Sequence, residues 1–223
     1  MAEEVKIVEE TQEILNPTEI VAGCIAIYRN VWDDIDEIIE SLNAYSDDNT
    51  KKFGFIPTTT LKDGRPGGRT NYNMSLNEAA TDSETMDKLS KRYFDLVLST
   101  SLGFNDYFNI NQPIFFNEPF NVLKYETGQE YKSHYDGGSA SGRTISPILY
   151  LNDDYEGGEI EFVNFGIKIK PERGMLILFP ASYPYTHIAH PVTSGTKYAI
   201  VNWLHDRPWD DISKMEIYGN ASV

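Results

Sequence analysis

The sequence predicts one mostly-β domain, a jelly-roll-like core backed by N-terminal helices. Three observations point there. Beyond Pro113 the chain breaks into short strand-like runs: "FNVLKY", "TISPILYL", "EIEFV", "GIKIKP", "MLILFP", "THIAHPV" and "KYAIVNWL". Turns such as "DDYEGG", "PERG" and "VTSG" separate them. Many short strands with regular turn punctuation mark a β-sandwich or barrel. Ahead of them lie two segments with helical periodicity, and 223 residues are enough for one core with helical additions.

In chain order, residues 1–20 read as a loosely held leader and "CIAIYRNVW" (24–32) as a strand. Asp33 or Asp34 then caps a helix whose apolar positions are Ile35, Ile38, Ile39, Leu42 and Tyr45. Residues 47–68 contain "KDGRPGG" and form a long turn-rich loop, of the kind that is functional or disordered. A second helix starts near Asp82 or Ser83 with the stripe Met86, Leu89, Tyr93, Leu96 and Val97. The expected division is strand and helix support with a loop over 1–112, a jelly-roll core over 113–206, and a surface tail over 207–223.

Charge and cysteine content restrict the partners. The chain has 34 acidic residues against 19 Lys+Arg, a net charge of -15. Such a surface repels phosphate backbones, so no nucleic-acid partner is expected. The single cysteine, Cys24, allows no internal disulfide and suits a reducing compartment. The acidic start "MAEEVKIVEE" lacks the apolar run of a signal peptide. No stretch approaches the ~20 apolar residues of a membrane span. The expectation is a cytoplasmic protein without a membrane partner. The oligomeric state is not legible.

The chain has four histidines, His134, His187, His190 and His205. In "YKSHYDGG" (131–138), His134 and Asp136 stand two apart, and residues i and i+2 of a strand share a face. Two histidines and one carboxylate on one face of an iron(II) ion leave positions open for a chelating co-substrate and dioxygen. Alone, the H-x-D pair reads equally as a turn hydrogen bond. A third ligand must come from His187, His190 or His205.

Residues 187–197, "HIAHPVTSGTK", place Pro-Val four after a histidine and a basic residue ten after it, ahead of the strand "YAIVNWL". With "YETGQEYKSHYDGG", "RTISPILYLN", "EGGEIEF" and "IKPERGMLILFP" preceding it in order, the chain resembles the iron(II)/2-oxoglutarate dioxygenases, and among them the prolyl 4-hydroxylase branch. The resemblance spans roughly 121–206, and more weakly 69–75. It implies a double-stranded β-helix (jelly-roll, cupin-like) core.

It also implies a site, residue by residue. His134, Asp136 and His187 match the metal ligands, with His190 as the rival for the third position. Lys197 matches the cation that pairs with the far carboxylate of 2-oxoglutarate. An edge-strand lysine is the plainer reading. Lysine here, where many relatives carry arginine, is typical of the prolyl branch. Tyr150 and Tyr125 match co-substrate tyrosines, Tyr131 a pocket-side aromatic, and Trp203, six after Lys197, a pocket wall. Each could instead be a core aromatic. Arg143 matches an arginine near the mouth that meets a peptide substrate. The loop 47–68 stands where the family carries a segment that closes over substrate. Gly137 and Gly138 would leave room beside the metal for a substrate backbone.

The implied activity is hydroxylation of an unactivated C–H using Fe(II), 2-oxoglutarate and O2, with ascorbate as a reductant. Succinate and CO2 are released. The implied substrate is a prolyl residue in a peptide or protein. The alternatives are a free amino acid or other small molecule as substrate, or, in a different class, a non-catalytic jelly-roll binding module.

Overall fold

The computed structural model describes residues 13–206, apart from 59–60, 63–64, 67, 112–113, 115 and 139–141. The expected tail over 207–223 lies outside the described residues. So does part of the loop 47–68.

The N-terminal segment contributes strands as well as helices. β1 (Glu19–Val21) and β2 (Ile25–Tyr28) form a hairpin, turned by Ala22 and Gly23 at positive φ. All four residues of β2 are buried, with Ala26 and Tyr28 in one apolar cluster and Ile25 and Ile27 in another. Such two-sided burial is that of a central strand. The strand expected over 24–32 is shorter because Asn30 turns the chain at φ 54.

α1 (Ile35–Asp47) follows, then β3 (Ile56–Pro57), the small hairpin β4 (Leu61–Lys62) and β5 (Arg65–Pro66), and β6 (Tyr72–Ser75). The single turn α2 (Leu76–Ala79) leads into α3 (Glu84–Tyr107). Ser83 caps α3 by accepting a hydrogen bond from the Met86 amide at 3.4 Å. Asp34 precedes α1 without such a bond. Its carboxylate instead receives Trp32 Nε1 at 2.9 Å and the Arg92 guanidinium. Gly103 lets the chain before β1 lie on α3, since a Cβ there would sit 1.9 Å from the Leu15 carbonyl oxygen.

The remaining strands are β7 (Phe116–Asn117), β8 (Asn121–Tyr125), β9 (Tyr131–His134), β10 (Ile145–Tyr150), β11 (Glu156–Gly157), β12 (Ile160–Phe162), β13 (Ile167–Ile169), β14 (Met175–Pro180), β15 (His187–Ala189), β16 (Val192–Ser194), β17 (Lys197–Val201) and β18 (Leu204–His205). They build a ten-stranded antiparallel sheet in the order β1-β2-β14-β10-β17-β8-β6-β3, with β18 and β7 attached beside β10. A four-stranded sheet, β13-β12-β15-β9, faces part of it, and β11 pairs with β16. This is the jelly-roll arrangement, with β2 and β6 from the first 112 residues inside the large sheet.

The two faces of the large sheet have different work. Leu149, Leu176 and Ile200 point outward and pack with Leu42, Tyr93 and Val97 of the helices. Truncating one such buried leucine to alanine costs about 2–5 kcal/mol. Ile148, Tyr150, Ile177 and Ala199 point inward toward the small sheet. One irregularity shapes that inner face. β10 meets β17 at Ile148↔Val201 and β18 at Ile145↔Leu204, but the ladder is interrupted between. Pro147 stands there with no N–H to donate, so a central strand tolerates it only at such a break. The break frees Asn202 and Trp203 from pairing within that ladder.

Candidate iron and co-substrate site

The cleft between the sheets is lined from β8, β10 and β17 on one side and β9, β12 and β15 on the other. His134 ends β9 and His187 begins β15, and the two are register partners. Asp136 lies just past the end of β9, so the two-residue spacing acts through a bend rather than a continued pleat. One ligand atom from each of His134, Asp136 and His187 lies within 4.8 Å of the others. His134 Nε2 is 3.6 Å from Asp136 Oδ1, and His187 Nε2 is 3.9 Å from Asp136 Oδ2.

Both imidazoles are oriented the same way. The Nδ1 of His134 is 2.7 Å from the Lys132 carbonyl, and that of His187 is 3.1 Å from the Tyr185 carbonyl. Each acceptor fixes the proton on Nδ1 and leaves the Nε2 lone pair for the cleft. Burial lowers the His187 pKa to about 4, so at neutral pH it is an uncharged ligand. Burial pushes the Asp136 carboxyl upward, but the neighbouring His134 and His187 rings and the Ser146 hydroxyl outweigh it. The group stays well below the usual carboxylate range. His190 faces elsewhere, 2.6 Å from Glu161, with Lys168 also at that carboxylate.

Tyr131 stacks flat on His134, ring centroids 3.5 Å apart, and Arg69 lies over Tyr131 at 5.3 Å. Arg69 lines the cleft. Trp203 also lines the cleft, although β17 ends at Val201. Arg143 is heavily committed. It grips the Glu118 carboxylate at 2.7 and 2.8 Å, lies 3.4 Å from the Trp203 ring centroid, and reaches the Asp136 carbonyl at 3.4 Å. Glu118 in turn accepts from the fully buried His205 at 2.9 Å. The arginine expected at the mouth is thus part of a buried charge network that braces the metal end. Nothing in the sequence linked Glu118 to it.

At the other end stands Lys197, 3% exposed. Its Nζ donates to the Gly158 carbonyl at 2.6 Å. The rings of Tyr150, Tyr125 and Tyr155 surround it at 5.0, 5.6 and 6.0 Å. No carboxylate among the described residues lies within ion-pair distance of it. Burial brings its pKa from the ordinary 10.5 to about 7, against the pull of Glu159. Gly158 has φ 67, and a Cβ there would press on Tyr155 and Lys197. Of the glycines after Asp136, Gly137 has a packing role. A Cβ on Gly137 would sit 2.8 Å from the Ala181 carbonyl oxygen, so that residue is small to fit the backbone beside it; Gly138 faces open space.

Residues 120–205 match the family model described as the 2OG-Fe(II) oxygenase superfamily. The matched segment contains His134, Asp136, His187 and Lys197. Two plant relatives are the probable prolyl 4-hydroxylase 9 and the prolyl 4-hydroxylase 13 of Arabidopsis thaliana. The first is 36% identical over 42% of this chain and 43% of that protein. The second is 29% identical over 69% of this chain and 62% of that protein. The chain therefore spans about half the length of these relatives. Among solved structures, a prolyl hydroxylase of Trichoplax adhaerens, in complex with a hypoxia inducible factor peptide fragment, superposes with TM-score 0.67 at 18% identity. It covers 87% of this chain and 89% of that one. The viral collagen prolyl hydroxylase of Paramecium Bursaria Chlorella virus-1 gives 0.52 at 21% identity, covering 81% and 95%. These likenesses show the fold.

The residues fit what the 2OG-Fe(II) oxygenase fold holds. Two neutral imidazoles and one carboxylate suit a divalent iron with open positions. A buried ammonium without a carboxylate partner suits the remote end of a dicarboxylate. Ser146 and Tyr150, four residues apart on the inner face of β10, sit toward the two ends, roughly 13 Å of strand.

Proposed function

We propose that this protein is an iron(II)- and 2-oxoglutarate-dependent oxygenase that hydroxylates a prolyl residue in a peptide or protein. The observation that carries the reading is the pairing, in one cleft, of the His134–Asp136–His187 cluster with the buried ammonium of Lys197, which has no carboxylate partner among the described residues. When bound, iron and 2-oxoglutarate supply dioxygen-dependent oxidation of a C–H bond, with succinate and CO2 as co-products.

The chain's part is to hold and shield. His134, Asp136 and His187 would hold the metal. Lys197 would take the far carboxylate, with the ammonium bonds unused by Gly158, while Tyr125 and Tyr150 wall that end. Ile148, Ile160, Ala199 and Val201 line the space between and exclude water. Tyr131 and Trp203, with Arg69 above Tyr131, border the metal end, where a substrate would meet aromatic faces. The relatives named prolyl 4-hydroxylases and the peptide-bound Trichoplax structure support a prolyl substrate.

The test is incubation with Fe(II), 2-oxoglutarate, O2 and ascorbate against a panel of proline-containing peptides. Succinate release and the gain of one oxygen atom by a peptide are expected. Metal-loaded protein that releases no succinate with any peptide would overturn the reading.

A further inference from the structure

β10 carries a polar residue where its neighbours are apolar. In "ISPILY", Ser146 shares the inner face with Ile148 and Tyr150, and is 1% exposed. It lines the cleft, beside the ladder break at Pro147. Its Oγ donates to Asp136 Oδ2 at 2.7 Å. A buried hydroxyl needs such a partner, and a buried carboxylate needs donors on each oxygen. The other oxygen, Oδ1, is the one nearer His134 Nε2, at 3.6 Å.

The rest of Asp136 is fixed from a different direction. Its carbonyl takes Arg143 at 3.4 Å, and the next peptide N–H bonds the Ala181 carbonyl at 2.7 Å. Those contacts place the backbone of the bend and leave the carboxylate free to rotate. Ser146 is the side chain that fixes that rotation.

We infer that Ser146 is a positioning residue: its hydroxyl holds one carboxylate oxygen of Asp136 and so fixes how that group faces a metal shared with His134 and His187. Neither the family match nor the ligand motif names this position. The inference rests on the three residues being metal ligands, and the test separates the two claims.

The experiment is Co(II) titration of the ligand-free protein, followed by calorimetry and by the visible spectrum of the bound ion. Parent, Ser146→Ala, Ser146→Thr and Ser146→Val are compared, with thermal melting of each without metal. Loss of a group that orients a ligand costs about 10- to 100-fold in metal affinity. Ser146→Ala and Ser146→Val are expected to lose that much and to alter the cobalt spectrum. Ser146→Thr, which keeps the hydroxyl and matches valine in shape, is expected to stay near the parent. Equal affinity in the threonine and valine variants, or parent-like affinity in Ser146→Ala, would overturn the inference. A parent that binds no Co(II) would instead sink the ligand assignment itself.

Discussion

The two ends of the cleft solve opposite electrostatic problems. At the metal end a carboxylate is buried together with everything that stabilises it: His134, His187 and Ser146 around Asp136, and Arg143 at its carbonyl. At the lysine end a cation is buried with three tyrosine rings and one carbonyl. The first end is a finished polar cluster that lacks only a cation. The second is an unfinished ion pair. A buried charge without its partner costs stability, so the lysine end carries a cost that an anion would relieve. The proposed reading turns on this difference: a cation for the carboxylate cluster and an anion for the lysine.

The largest expected effect breaks the metal end. His187→Ala removes a ligand outright, so its loss of Co(II) affinity should exceed the roughly 100-fold ceiling of substitutions that only orient a ligand. His190→Ala should bind as the parent does. Calorimetric titration distinguishes them, and the reverse ranking would move the ligand to His190.

The next breaks the lysine end. Lys197→Ala removes the partner of a buried carboxylate, which costs about 2–5 kcal/mol of binding. The 2-oxoglutarate affinity of the metal-loaded protein should fall accordingly, roughly 30-fold or more, with metal affinity unchanged.

A third prediction touches the brace behind the metal end. Glu118→Ala leaves Arg143 and His205 without their shared carboxylate. An unmade buried hydrogen bond costs about 1–3 kcal/mol. Denaturant unfolding should show that loss, and Glu118→Gln should recover part of it.

The pH prediction sharpens the contrast without a ligand. Unfolded, Lys197 stays charged up to about 10.5; folded, it gives up its proton near 7. Between those values the unfolded state binds more protons, so this group makes stability rise with pH, and the gain is lost as pH falls through about 7. Melting of the ligand-free protein from pH 7 to 10 should show the rise, by at most a few kcal/mol. Lys197→Met should flatten it. Saturating 2-oxoglutarate with metal should also flatten it, by giving the ammonium its anion.

Much of this contrast was legible in the sequence, because its signals are local. His134 and Asp136 lie within one bend, and the spacing from His187 to Lys197 runs along one short stretch of chain, through β15 and β16 into β17. Most core strands followed from turn punctuation and the two long helices from periodicity, although the seven runs read beyond Pro113 are twelve strands, β7 to β18, in the structure. What was not legible depends on distant strands. Ser146 meets Asp136 because β10 runs beneath the bend, and Glu118 meets Arg143 across 25 residues. β2 reads as an isolated strand until β14 pairs with it, since no local pattern names a strand's neighbour. A hint did exist at β10: a serine beside a proline in an otherwise apolar strand marks a break with a polar residue facing inward.

The central claim is that one cleft holds a metal at His134, Asp136 and His187 and a dicarboxylate at Lys197. Its most direct test is calorimetric titration of 2-oxoglutarate into parent, Lys197→Ala and His187→Ala proteins, each with and without Co(II). The account predicts tight binding only in the parent with metal, and weak binding whenever either end is removed. Undiminished 2-oxoglutarate binding by the Lys197→Ala protein would contradict it.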